Sequence, residues 1–168
     1  MTQYEYKLTS SIGDAIPDPF SESATQLFPL GSKLEYGDRK FRYAQIDSAV
    51  TSAGLTLENK LATANHRDLE VAAASAGAKS ITVTLKGTEA AVDYYNEGYI
   101  HINVAAGQGQ LLKIKDHPQA DASTTLVLTL YDPLKTAITT SSKADLIASN
   151  YKSINTALFL HALYSLTK

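Results

Sequence analysis

Ser80-Ile81-Thr82-Val83-Thr84-Leu85, Tyr99-Ile100-His101-Ile102-Asn103-Val104, Leu111-Leu112-Lys113-Ile114-Lys115 and Thr125-Leu126-Val127-Leu128-Thr129-Leu130 place apolar residues at alternate positions. Successive side chains of a strand point to opposite faces, so this period predicts four strands with one face in a core. Turn chemistry separates or ends them: Lys86-Gly87-Thr88, Gly107-Gln108-Gly109, Asp116-His117-Pro118 and Asp132-Pro133. Short alternating strands punctuated in this way predict an all-β fold, a small β-barrel or β-sandwich.

Upstream, Leu34-Glu35-Tyr36 meets Arg39-Lys40-Phe41-Arg42-Tyr43 across Gly37-Asp38, which predicts a hairpin with Phe41 and Tyr43 inward. Residues 47–79 are less regular. Alanine richness over 59–76 favours helix by propensity, but Leu69 and Val71 alternate about Glu70, and irregular chain with a short strand is the preferred reading. Leu134 to Ile138 and Ala144 to Ile147 read as short pieces on the rim.

Pro17, Pro19 and Pro29 exclude a helix interior from much of residues 1–30. Tyr4, Tyr6, Ile12 and Phe20 nevertheless carry too much apolar surface for a plain linker. The expectation is an extended N-terminal arm over 1–30, ordered on its own domain or on a neighbouring subunit. A β domain follows over 31–151, then an apolar C-terminal docking segment over 152–168. Leu158, Phe159, Leu160 and Leu163 fit a helical stripe over 155–166. A β-extension onto a neighbour is the alternative.

The chain has 168 residues, 44% of them hydrophobic and 19% charged, enough for one domain with a real core. Its formal net charge of −2 gives no general attraction to nucleic acid or acidic lipid. No run reaches the roughly 18 apolar residues of a membrane span, and the first residues lack the apolar core of a secretory signal. The expectation is a soluble protein made in the cytoplasm. Cysteine is absent, which excludes thiol catalysis, disulfides and cysteine metal sites.

No motif marks a catalytic or cofactor site. His66, His101, His117 and His161 lack paired metal-ligand spacing and read as core or surface histidines. His101 and His117 with Asp116 or Glu97 form the one conceivable zinc set, which nothing in the spacing requires. Gly107-Gln108-Gly109 lies between two strands, so it reads as a turn needing positive φ rather than a phosphate loop. Asp14 and Asp18 sit in the proline-rich arm, a poor frame for acid–base chemistry. Lys40 and Arg42 alternate with Phe41 and Tyr43 as an amphipathic strand does, which is preferred over a single-strand nucleic-acid surface.

Glu97-Gly98-Tyr99-Ile100-His101-Ile102-Asn103, Gly107-Gln108-Gly109-Gln110 and Lys113-Ile114-Lys115-Asp116-His117 together resemble a segment of tailed-bacteriophage capsid decoration, or cement, proteins. The Thr- and Leu-rich strand over 124–130, Asp132-Pro133-Leu134 and the Ser-rich stretch over 139–145 follow in similar order. Phe28-Pro29-Leu30-Gly31 before the hairpin is also similar. The resemblance spans about residues 28–151. It implies a non-enzymatic virion protein, made in the bacterial host cytoplasm, that binds the outer capsid surface and cements neighbouring major capsid subunits of the expanded, DNA-filled head. With the even charge balance and the lack of motifs, the expectation is no cofactor and no direct contact with nucleic acid or membrane. Clamps at symmetry axes favour a homo-oligomer, a trimer before a dimer.

On this reading Tyr4, Tyr6, Ile12, Phe20, Leu158 and Phe159 are the candidate intersubunit contacts. The alternatives are a head–tail or tail component, or a glycan- or host-surface-binding module using Tyr94, Tyr95 and Tyr99 as an exposed aromatic platform.

Overall fold

The computed structural model describes residues 9–10, 22–36, 38–46, 57–58 and 62–156. Its centre is a closed barrel of six antiparallel strands: β5 (Leu69–Val71), β6 (Ser80–Thr84), β7 (Tyr99–Val104), β8 (Leu111–Asp116), β9 (Thr125–Leu130) and β10 (Lys143–Ile147). The order around the barrel is β10-β5-β6-β9-β8-β7. β7, β8 and β9 follow one another as neighbours, β6 lies beside β9, and β10 returns beside β7. Each long return makes a Greek key, and the two keys share the β7–β9 meander. Closure leaves the barrel no open sheet edge.

The alternation in the sequence becomes the inside and outside of this barrel. Ile81 and Val83, Ile100 and Ile102, Leu112 and Ile114, and Leu126, Leu128 and Leu130 all point inward and are buried. Burying each aliphatic chain of this kind contributes roughly 1.5–3 kcal/mol relative to exposure. The outward positions of β6 and β9 carry Thr82, Thr84, Thr125 and Thr129, residue types that suit a half-buried pleated surface.

Two irregularities bend the wall. Lys143 faces Val104 while Ala144 faces Ile102, so Asn103 is the extra residue of a bulge in β7. Ile114 faces Leu130 while Asp116 faces Thr129, which leaves Lys115 extra in β8. Bulges increase local twist and help a small sheet close.

Lys143–Ile147 is the principal correction to the sequence reading of the domain. It is not a rim fragment; it is the strand that seals β5 to β7. Its buried pattern, Ala144 and Leu146, gives only two apolar inward positions, a weak periodic signal. Leu134 and Ile138, also buried, cap the barrel end reached by the β9–β10 connection, where Ile138 bridges to Ala74. Over the described part of 47–79, the expected short strand is β5, preceded by a 3-10 turn at Ala64–His66.

Outside the barrel, β1 (Thr9–Ser10), β2 (Lys33–Tyr36) and β3 (Arg39–Arg42) form a three-stranded sheet. Tyr36 pairs with Arg39, so the β2–β3 connection is the expected two-residue turn. β4 (Leu57–Glu58) pairs with β11 (Asn155–Thr156), and Ile46 makes a parallel bridge with Ile154. Residues 155 and 156 are therefore extended, not the start of a helix; 157–168 lie outside the described residues. No helix among the described residues is long and apolar enough to cross a membrane.

Residues 23–30, assigned to the arm, are fastened to the rest of the chain. The Tyr43 hydroxyl accepts from the Leu27 amide at 3.0 Å, and the Phe28 and Tyr43 rings meet edge to face at 5.5 Å. Gly31 then turns with φ 81°, and a Cβ there would stand 2.7 Å from the Tyr151 ring. The fastening places 23–30 with the domain.

Candidate functional site

The densest set of polar contacts lies on the connection between β6 and β7. Residues 93–97 read Asp-Tyr-Tyr-Asn-Glu. They form consecutive tight turns, with Asn96 donating to the Asp93 carbonyl at 3.0 Å and Gly98 to the Tyr95 carbonyl at 2.9 Å. Asp93 and Glu97 both take left-handed backbone, at φ 54° and 59°. Such geometry costs a non-glycine residue about 1–3 kcal/mol and is kept only where its surroundings enforce it. Here it sends Tyr95 into the barrel end and Glu97 towards 26–30.

Tyr95 is 1% exposed and packs against three rings, Tyr94 at 4.8 Å, His66 at 5.5 Å and His117 at 5.9 Å. Its phenol bonds His66 Nδ1. The other nitrogen of His66 lies 3.0 Å from the Thr88 carbonyl, which can only accept. His66 Nε2 therefore donates to Thr88, and its Nδ1 shares a hydrogen bond with the Tyr95 hydroxyl. Burial is the main cause that pushes the Tyr95 phenol far above its ordinary range.

In His117 the nitrogen that faces a carbonyl is Nδ1. Its Nδ1 lies 2.7 Å from the Pro118 carbonyl and must donate, while Nε2 accepts the Tyr95 amide at 2.9 Å. Burial lowers its pKa; the bond to Pro118 and the Asp93 and Asp116 carboxylates oppose that shift, and Lys152 adds to it. Asp93 Oδ1 also accepts the His117 amide at 3.1 Å.

Glu97 is 7% exposed, and its two oxygens are spent on the segment before β2. One accepts the Gln26 side-chain amide at 2.8 Å and the other the Leu30 main-chain amide. Lys152 donates to the Asp93 carbonyl, and burial lowers its pKa against the pull of Asp93 and Glu97. Asp93, Tyr95 and Glu97 thus tie together the 26–30 strap, the turn before β5, the β8–β9 connection and the segment after β10.

The proposed aromatic platform is not assembled. Tyr95 is a core residue, Tyr94 packs on it, and of the three only Tyr99 faces outward, 38% exposed. Tyr99 belongs instead to a row with Ile147 on β10, Lys113 on β8 and Tyr131 beyond β9. The Lys113 ammonium lies 5.4 Å from the Tyr131 ring centre. Burial, then the Glu97 and Asp116 charges, raise the Tyr131 phenol.

The conceivable zinc set does not form. His117 is buried at the barrel end, whereas His101 is on the outer wall, 3.9 Å from Asp145. There Asn103, displaced by its bulge, donates to Asp68 at 2.6 Å and Asp145 at 3.1 Å. Among the described residues no group of three ligating side chains stands together. Gly107 and Gly109 have φ of 80° and 89°, as a turn between strands demands. Tyr4, Tyr6, Ile12, Phe20, Leu158, Phe159, Asp14, Asp18 and His161 lie outside the described residues.

Sequence reasoning missed Glu97 as an anchor and the His66–Tyr95–His117 assembly. Its members are 29 and 22 residues apart, too far for any local spacing to reveal. The paired tyrosines between two acids are the available signal, and their local pattern fits a surface equally well. Comparison with protein-family models, with curated proteins and with solved structures gives no match.

Proposed function

We propose that this chain is a structural virion protein that binds the outside of a phage head, joins neighbouring major capsid subunits and does no catalysis. The observation that carries the reading is a coincidence of bounds. The stretch that resembles decoration proteins, about 28–151, takes in all six barrel strands and the β2–β3 hairpin strapped to them. Both terminal stretches flank this unit and supply the candidate contacts Tyr4, Tyr6, Ile12, Phe20, Leu158 and Phe159.

The mechanism is burial of surface across subunit joints. A protein that binds the expanded lattice and not its precursor stabilises the expanded state by mass action, about 2.7 kcal/mol per site at one hundred times the dissociation constant. Parting several subunits then requires parting their clamps as well. A closed barrel suits the task because it offers no free edge for unintended pairing. A cyclic oligomer, a trimer before a dimer, matches clamps placed on symmetry axes.

Co-sedimentation of the purified chain with expanded heads lacking it, beside unexpanded heads, tests the proposal. Saturable binding to expanded heads alone is expected, and a variant lacking residues 1–21 should lose at least tenfold in affinity while still unfolding cooperatively. Binding to neither form would overturn the reading in favour of a tail component or a glycan-binding module. Full-strength binding by the shortened chain would overturn the role of Tyr4, Tyr6, Ile12 and Phe20.

A further inference from the structure

We infer that His117 is the proton-sensitive pin of a latch, so that mild acid frees the 26–30 strap from the barrel while the barrel stays closed. The inference stands apart from the capsid reading, since it concerns contacts within one chain.

His117 Nε2 is an acceptor by geometry. Its partner is the Tyr95 amide at 2.9 Å, and its other nitrogen already donates to the Pro118 carbonyl. A second ring proton would set an N–H against an N–H in a buried site, and two donors cannot bond each other. The turn that carries the Tyr95 amide must then move. Two residues along that turn, Glu97 receives Leu30 and Gln26, which hold the strap. Leu27, 63% exposed, adds little apolar burial of its own. Leu27 and Phe28 hold the strap to the β2–β3 hairpin through Tyr43, and Leu30 is buried; the strap's side-chain bonds to the barrel go to one carboxylate, whose aim depends on the turn.

Charged groups face His117 from each neighbouring element. Asp93 takes its amide from the same turn as Tyr95, Asp116 precedes it at the end of β8, and Lys152 approaches from the segment after β10. His66 lies beyond the Tyr95 ring, bonded to its hydroxyl and to the Thr88 carbonyl. The two carboxylates and the Pro118 bond favour the protonated ring; burial is the largest influence and prevails, with Lys152 beside it. The folded pKa thus lies below the ordinary 6.5. As pH falls through about 6.5 the unfolded or opened turn takes up the proton first, so stability of the closed latch is full above that range and is lost on the way down to the folded pKa.

Local opening of this kind appears as loss of amide protection confined to the opened segment. Amide exchange of the full chain at pH 7.5 and 5.0, corrected for the intrinsic pH dependence of exchange, reads it directly. The protection factors of Leu30 and Tyr95 should fall at least tenfold, while those of Val83 and Leu128 in the β6–β9 ladder hold. His117→Gln keeps an acceptor for the Tyr95 amide but cannot gain a proton, and its Leu30 protection should not change between the two pH values. In the unsubstituted chain, the ring resonances of His117 should titrate with the midpoint at which Leu30 protection is lost. Unchanged Leu30 protection, simultaneous loss at Val83 and Leu128, an undiminished fall in His117→Gln, or separate midpoints would each overturn the latch.

Discussion

Replacing Gly98 by alanine is expected to lower the melting temperature by about 6–12 °C, the equivalent of about 3 kcal/mol in a chain of this size. The added methyl would stand 2.3 Å from the Ile147 carbonyl oxygen, 3.0 Å from that of Tyr95 and 3.1 Å from the Ser149 nitrogen. All three are main-chain atoms, so no side chain can rotate away. The surroundings are fixed as well: Gly98 donates to Tyr95 and accepts from Ile114, both at 2.9 Å. Relief therefore requires the end of β10 to move off the turn, which disturbs the Ile147–Tyr99 pair that closes the barrel. Gly77→Ala is the control. Gly77 has φ +89° and nothing within 4 Å of its virtual Cβ, so alanine there meets only backbone strain, about 1–2 kcal/mol. Calorimetry on both variants separates the two causes. Gly98→Ala melting within the range of Gly77→Ala would mean that the approach of the Ile147 carbonyl does not constrain the fold.

The contrast between Gly98 and the strands around it shows what a sequence of this kind reveals. Four barrel strands were legible because each carries several inward Leu, Ile or Val at period two, and their turns carry Gly, Asp or Pro where the backbone needs them. β10 was read as rim because only Ala144 and Leu146 mark its inner face, and alanine signals neither strand nor burial. Closure itself was not legible: a strand order of β10-β5-β6-β9-β8-β7 depends on pairings between segments far apart in the chain, which local pattern does not encode. The site follows the same division. The Gly107 and Gly109 turn was foreseen from its chemistry. Tyr95 was misplaced outward because a tyrosine in a polar turn has the same local pattern whether or not two distant histidines are there to receive it.

Those histidines supply the second large expected effect. Tyr95→Phe should destabilise the chain by about 1–3 kcal/mol, because Nδ1 of the buried His66 loses its hydrogen-bond partner while its ring stays fixed by Thr88. Tyr95→Ala should cost more, about 3–5 kcal/mol, since the ring that fills the barrel end is lost too. Urea unfolding at pH 7.5 measures both as shifts in midpoint, provided the slope is unchanged. The ordering tests the assignment of roles. If the ring acts only as filler, Tyr95→Phe should match the unsubstituted chain within about 0.5 kcal/mol. If the hydroxyl is spent on His66, a double-mutant cycle with His66→Leu should return part of that loss, because leucine presents no polar nitrogen to leave unsatisfied. A cycle with no coupling would show that the Tyr95–His66 bond contributes nothing, and that the other bonds of the turn, those of Asp93, Glu97 and His117 among them, position it.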